Sequence, residues 1–264
     1  MRKAAALLIV LASAETRTDA RADSTDLVTR PLALERHQFH AQLSLEISPY
    51  ERMVGKPIAL APDFWVGVTE QLTVGVIHSS QSVDRIGARA TVCLRQSDLL
   101  CDGPYQGSGL DVRYRLSDGP FAIAPRMRLL VRDIDPWKPA VTLGTLARWS
   151  RGRFSIKTDP YLRLGLANRD KGNRAAFVLP FWFGVQPTCR WLVELHTGAD
   201  GDIAVLSDGW HVPFGLVVTA RATETIDVSV EVGATQIYGY QVDSKQRYVM
   251  FSASYRSRGR LRER

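Results

Sequence analysis

The segment His78-Ser79-Ser80-Gln81-Ser82 carries the residue types of nucleophilic catalysis. A hydroxyl needs an adjacent base to attack, and side chains two apart on a strand share a face. His78 and Ser80 are therefore a candidate catalytic pair. No spacing identifies a third group to orient His78, and the plainer reading is an interfacial histidine beside polar loop residues. Cys93 and Cys101 flank the loop-like stretch Leu94 to Leu100 and are expected to form a disulfide if the chain meets oxidising conditions. Cys189 stands alone as a spare thiol. Asp133, Asp135, Asp200, Asp202 and Asp208 fall in long-side loops and could bind a divalent ion, with Asp200-Gly201-Asp202 the most suggestive, but loop acids are ordinarily solvated and no metal site is assigned. Phosphate-binding glycine loops are absent, and no cofactor is implied.

The rest of the chain must position these groups. It has 264 residues, 45% of them apolar and 23% charged, with a formal net charge of +7. That composition excludes a disordered chain. No run of eighteen apolar residues occurs, which excludes a hydrophobic transmembrane helix but not a transmembrane β-barrel. Arg2 and Lys3, the apolar stretch Ala4 to Ala12, and the small-residue sites Ala12-Ser13-Ala14 and Ala20-Arg21-Ala22 read as an export signal over residues 1–22. Export makes nucleic acid an implausible partner for the basic tail, residues 257–264.

Period two dominates the mature chain. Phe39, Ala41, Leu43, Leu45 and Ile47 alternate with polar residues, as do Leu110, Val112, Tyr114 and Leu116, and Ile226, Val228, Val230 and Val232. Turn signals divide the chain into about twelve strands, near 38–48, 58–68, 71–80, 107–116, 120–132, 138–149, 153–167, 174–185, 189–199, 209–221, 225–237 and 246–256. Tight turns such as Ser117-Asp118-Gly119 and Ser150-Arg151-Gly152 alternate with longer loops, the longest being the third, Gln81 to Gln106. Short turns on one side, long loops on the other and an even strand count are the pattern of an outer-membrane barrel. The six tryptophans fall toward strand ends, as two interfacial girdles require.

The hairpin from Leu60 to Gly75, with Gly67-Val68-Thr69 before a polar turn and Leu72-Thr73-Val74-Gly75 after it, resembles a hairpin recurrent in bacterial outer-membrane meander barrels. The style recurs in Tyr161 to Asp170, and the resemblance covers nearly all of residues 37–256. It implies an all-β, antiparallel up-and-down transmembrane barrel in the bacterial outer membrane. Residues 23–36 then form an N-terminal periplasmic segment, and the lipid bilayer and its outer-membrane lipids are partners. Such proteins often end in an aromatic residue, whereas this chain continues past Phe251 and Tyr255 into its basic tail. Outer-membrane phospholipase A is also a twelve-stranded barrel with a His-x-Ser pair on its outer surface. Here Gln81-Ser82 stands where that family has Asn-Gly.

If the apolar positions face lipid, the alternates face the lumen. Arg113, Arg115, Arg126, Arg128, Lys157 and Arg163 form a basic sector, opposed by acids that include Asp227 and Glu231. Four of these arginines would be neighbours, which makes pairwise neutralisation hard. The favoured expectation is a pore-lining set in a passive channel for small hydrophilic solutes, anionic ones above all. The alternatives are a closed structural or surface-interaction barrel whose salt bridges plug the lumen, and a lipid hydrolase at His78 and Ser80.

Overall fold

The structure is a computed structural model that describes residues 26–49, 58–79, 81–84, 92–95, 103–206, 209–239 and 247–258. The export signal, Ser80, Cys101, Asp208 and most of the basic tail lie outside the described residues.

Fourteen strands build one sheet: β1 (Phe39–Ile47), β2 (Ile58–Gly67), β3 (Leu72–Ile77), β4 (Val92–Arg95), β5 (Ser108–Tyr114), β6 (Phe121–Ile134), β7 (Trp137–Arg151), β8 (Phe154–Thr158), β9 (Tyr161–Gly165), β10 (Ala176–Thr188), β11 (Trp191–Asp202), β12 (Trp210–Arg221), β13 (Ile226–Gly239) and β14 (Arg247–Arg256). They form twelve staves. β8 and β9 are one stave interrupted at Asp159-Pro160, since both halves pair with β7 and with β10. Proline has no N–H to give the ladder, but the Pro160 carbonyl still accepts from Thr145 N at 3.0 Å. β4 is an extra short strand from the third loop that pairs with the start of β2. Every neighbour is antiparallel, and β1 pairs with both β2 and β14, so the ring closes without a free edge. The twelve-strand, up-and-down reading of the sequence is therefore correct.

Closure sorts the side chains by the period of two. Each stave presents a large exposed apolar residue outward: Leu43, Phe64, Val76, Leu110, Leu129, Leu143, Leu162, Phe183, Leu195, Leu216, Val230 and Phe251. The buried positions point in and are largely polar, including Glu46, Asp63, Asp111, Arg128, Arg148, Arg163, Glu194 and Glu231. A water-soluble protein has this arrangement inside out. At the tight-turn end, Gly119 (φ +94°) and Gly152 (φ +57°) adopt left-handed conformations that glycine takes without cost.

A helical turn, α1 (Asp26–Thr29), precedes the barrel. Residues 26–38 do not hang free of the ring. Leu27 and Val28 pack on Leu192 of β11, and Val28 N donates to Gln186 Oε1 of β10. Further on, Leu34 N donates to Thr73 Oγ1 of β3 at 2.8 Å, and His37 N to the Gly67 carbonyl at 2.8 Å.

Two of the six tryptophans depart from the expected girdles. Trp137, Trp149 and Trp191 are exposed on the outside, but Trp65 is 5% exposed and Trp182 lines the lumen. The alternation in β2 and β10 puts both on the polar face, where Trp65 finds an acceptor for its indole N–H.

Candidate functional site: a polar lumen

The ring encloses a cavity of about 720 Å³ whose walls carry many charged and aromatic side chains among apolar ones. Its most densely paired part lies where β5 and β6 run side by side. Asp111, fully buried, takes Arg113 Nη2 at 2.6 Å and Arg126 Nε at 2.7 Å. Trp65 Nε1 donates to the same carboxylate at 2.7 Å. The Arg113 guanidinium lies 4.8 Å over the Trp65 ring, whose other face stacks on His40 at 5.2 Å. Arg126 reaches on to Asp159, the residue at the break between β8 and β9. Gly75 makes room for this cluster, because a Cβ there would sit 2.1 Å from Trp65 Cδ1.

One layer further from the tight turns, Arg128 is 1% exposed. It donates to Thr142 Oγ1 at 2.9 Å and to the Ser82 carbonyl at 3.1 Å, and it stacks 4.1 Å over Tyr161. The Ser82 contact shows that part of the third loop, the described residues 79 and 81–84, folds into the barrel. Asp63 of β2 organises this turn, accepting from the hydroxyls of Ser79 and Ser82 at 2.8 and 2.9 Å. Gln81 crosses to Glu231 of β13 at 2.7 Å. On the other side Asp84 contacts Arg163 of β9, and its carbonyl accepts from Arg132 Nη2 at 2.9 Å. Burial raises the Asp84 carboxyl, but Arg163 and Arg132 more than offset that and hold it at about 2.

The remaining wall is paired as well. Lys157 meets Glu194 at 2.6 Å, and Glu231, expected to line the pore but buried behind the lining side chains, takes His196 at 3.1 Å and Tyr248 at 2.7 Å. Trp182 stacks on His196 at 4.7 Å. Asp227, also expected to line the pore, is buried near the tight-turn end outside the cavity lining and pairs with Arg30 from the N-terminal segment. Arg115 lies past the end of β5, beside Asp118 at 2.8 Å, and is not part of the cavity wall. His78 faces outward from the end of β3, its Nδ1 against the Pro62 carbonyl, while Ser80 lies outside the described residues. Cys93 sits on β4, and Cys189 is a free thiol between β10 and β11. Among the described residues no three metal-ligating side chains converge.

The neighbouring arginines do find acids, contrary to the difficulty their sequence spacing suggested. Asp111 and Asp159 are shared between them, and Asp84 arrives from a loop. Asp63, Asp84 and Arg148 were not singled out in the sequence as site residues. Asp63 was recoverable, being the acid at an inward position between Phe64 and Pro62 in an otherwise apolar strand.

No protein-family model matches this chain, and no curated protein matches it in sequence. Solved structures do match it in shape. The KdgM porin aligns over 83% of this chain and 99% of its own length, with a TM-score of 0.54 and 8% identity. A NanC porin aligns over 81% and 98%, with a TM-score of 0.58 and 8% identity. The fold is that of the outer-membrane porins. A KdgM porin in complex with disordered oligogalacturonate aligns equally well, with a TM-score of 0.56 and 8% identity over 83% of this chain. At such identity the likeness shows the barrel and not the cargo.

Proposed function

We propose that the protein is a passive outer-membrane channel for small hydrophilic solutes, with a preference for acidic ones. One observation carries the reading: a closed ring that is apolar outside encloses a cavity walled by Arg113, Arg126, Arg128, Arg132 and Arg163. An apolar exterior around a polar interior suits a bilayer. A solute carboxylate entering the lumen would exchange with Asp84 or Asp159 as a guanidinium partner, which costs less than burying an unpaired charge. The KdgM structure with oligogalacturonate, an acidic sugar polymer, is consistent with that cargo class.

The reading includes export through removal of residues 1–22, residence among outer-membrane lipids, and a Cys93–Cys101 disulfide in the third loop. The intact mass of protein purified from membranes reads the leader and the disulfide together. The leader's mass and two hydrogens should be missing, and a full-length, thiol-bearing chain would refute both points.

The channel itself is tested by conductance in planar bilayers under a salt gradient. The wild type should favour anions. Arg126→Glu with Arg128→Glu should move the reversal potential toward cations while the β-sheet circular dichroism is retained. An unchanged reversal potential in the folded variant would overturn the reading.

A further inference from the structure

The N-terminal segment contacts two walls of the ring that face each other. Thr73, which receives Leu34 N, is on β3, and Leu192, against which Leu27 and Val28 pack, is on β11. Along the sheet order these strands are six staves apart in a ring of twelve. Residues 28–34 therefore cross the full diameter of the barrel, and they do so at the tight-turn end.

The crossing is built in detail. Val28 and Leu34 are 1% and 3% exposed, which for a segment outside the sheet requires packing within the mouth. Pro31 and Leu32 line the cavity from below. Arg30 makes an ion pair with Asp227 of β13, and its carbonyl accepts from Arg148 of β7. Gly67 admits the crossing chain, since a Cβ there would lie 1.9 Å from the Glu35 carbonyl oxygen. The segment enters β1 through His37, which takes a left-handed conformation (φ +63°) uncommon for a residue with a side chain.

We infer that residues 26–36 are an autoinhibitory strap that closes the tight-turn mouth of the channel and opens by swinging about His37. This rests on the channel reading. The strap's two ends are unequal. The Leu34 to His37 end is held by the Leu34 N bond to Thr73 Oγ1 and the His37 N bond to the Gly67 carbonyl, next to the covalent anchor. The contacts at the Val28 end lie farther from that anchor and include the Arg30–Asp227 ion pair, the Arg148 contact, the hydrogen bond to Gln186 and apolar packing on Leu192. Release thus starts at the Arg30–Asp227 pair.

The test uses the full chain with three changes: deletion of 26–36, Arg30→Glu, and the charge swap Arg30→Glu with Asp227→Arg. Single-channel conductance should rise severalfold in the deletion and in Arg30→Glu, and should fall back in the swap. A second readout does not depend on conduction. Val28→Cys in a Cys189→Ser background should label slowly with a membrane-impermeant maleimide, and fast once Arg30→Glu is added. Equal conductance of wild type and deletion would overturn the strap and leave the channel standing. So would rapid labelling of Val28→Cys with Arg30 intact. A folded deletion variant that does not conduct, beside a Val28→Cys protected until Arg30 is changed, would keep the docked strap and refute the channel.

Discussion

Replacing Asp111 with asparagine should weaken the barrel and change its ion preference together. The carboxylate is completely buried and holds three donors, on Trp65, Arg113 and Arg126. Removing one partner of a buried ion pair costs about 3–5 kcal/mol. Three features reduce the loss here. Arg126 keeps Asp159, Arg113 keeps the face of Trp65, and the asparagine oxygen still accepts from the indole. About 2–3 kcal/mol remains, a factor of roughly 30- to 150-fold in the folding equilibrium. The assay is reversible urea unfolding in detergent micelles, followed by tryptophan fluorescence, to which Trp65 itself contributes. The same variant in a bilayer should show a reversal potential moved toward anions, because the buried carboxylate behind the wall is gone while its lining arginines, Arg113 and Arg126, stay. A wild-type midpoint together with a wild-type reversal potential would mean that Asp111 is effectively solvated. The pairing would then have no energetic weight.

Asp84 sets a second expectation. Its carboxyl is held at about 2, below the ordinary 3.8, so its contribution to docking residues 81–84 is complete above about pH 4 and is lost as pH falls through about 2. Wild-type conductance should be steady from pH 7 to 4 and change between 4 and 2, and Asp84→Asn should show the acid value already at pH 7. A variant that titrates like the wild type would refute this. Gly75→Ala should displace Trp65, because the new Cβ would lie 2.1 Å from its ring. Overpacking of this kind costs about 1–3 kcal/mol, read as a lower urea midpoint and altered indole emission. An unchanged midpoint and spectrum would show that the ring has slack.

The ring was legible because period two fixes a face for every residue. Ile226, Val228, Val230 and Val232 go out, and Asp227 and Glu231 go in, whatever lies next to them. The same rule located the arginines of β5 and β6. It could not say what they pair with, because a register between strands is not written in either strand alone. Residues 81–84 and 26–36 have no period, so their place inside the barrel was hidden. Pro31-Leu32-Ala33-Leu34 reads as an ordinary linker, and only the opposite positions of Thr73 and Leu192 give it a role. Trp65 and Trp182 were misplaced because position along a strand was read before face. Both stand in register with inward residues, His40 and His196, and follow the lumen.

The seam between β1 and β14 bears on how the protein is made. His40 lies opposite Arg256 and Ile47 opposite Val249, so the last ladder joins the two extremes of the folded chain. No nascent chain can form it before nearly all of the polypeptide exists. Until that ladder forms, β1 and, once made, β14 are exposed edges flanked by apolar side chains, a template for pairing with any other chain in transit. The unfinished barrel must therefore travel with both edges covered. A truncation that removes β14 would leave an open sheet prone to aggregate, and not a smaller pore.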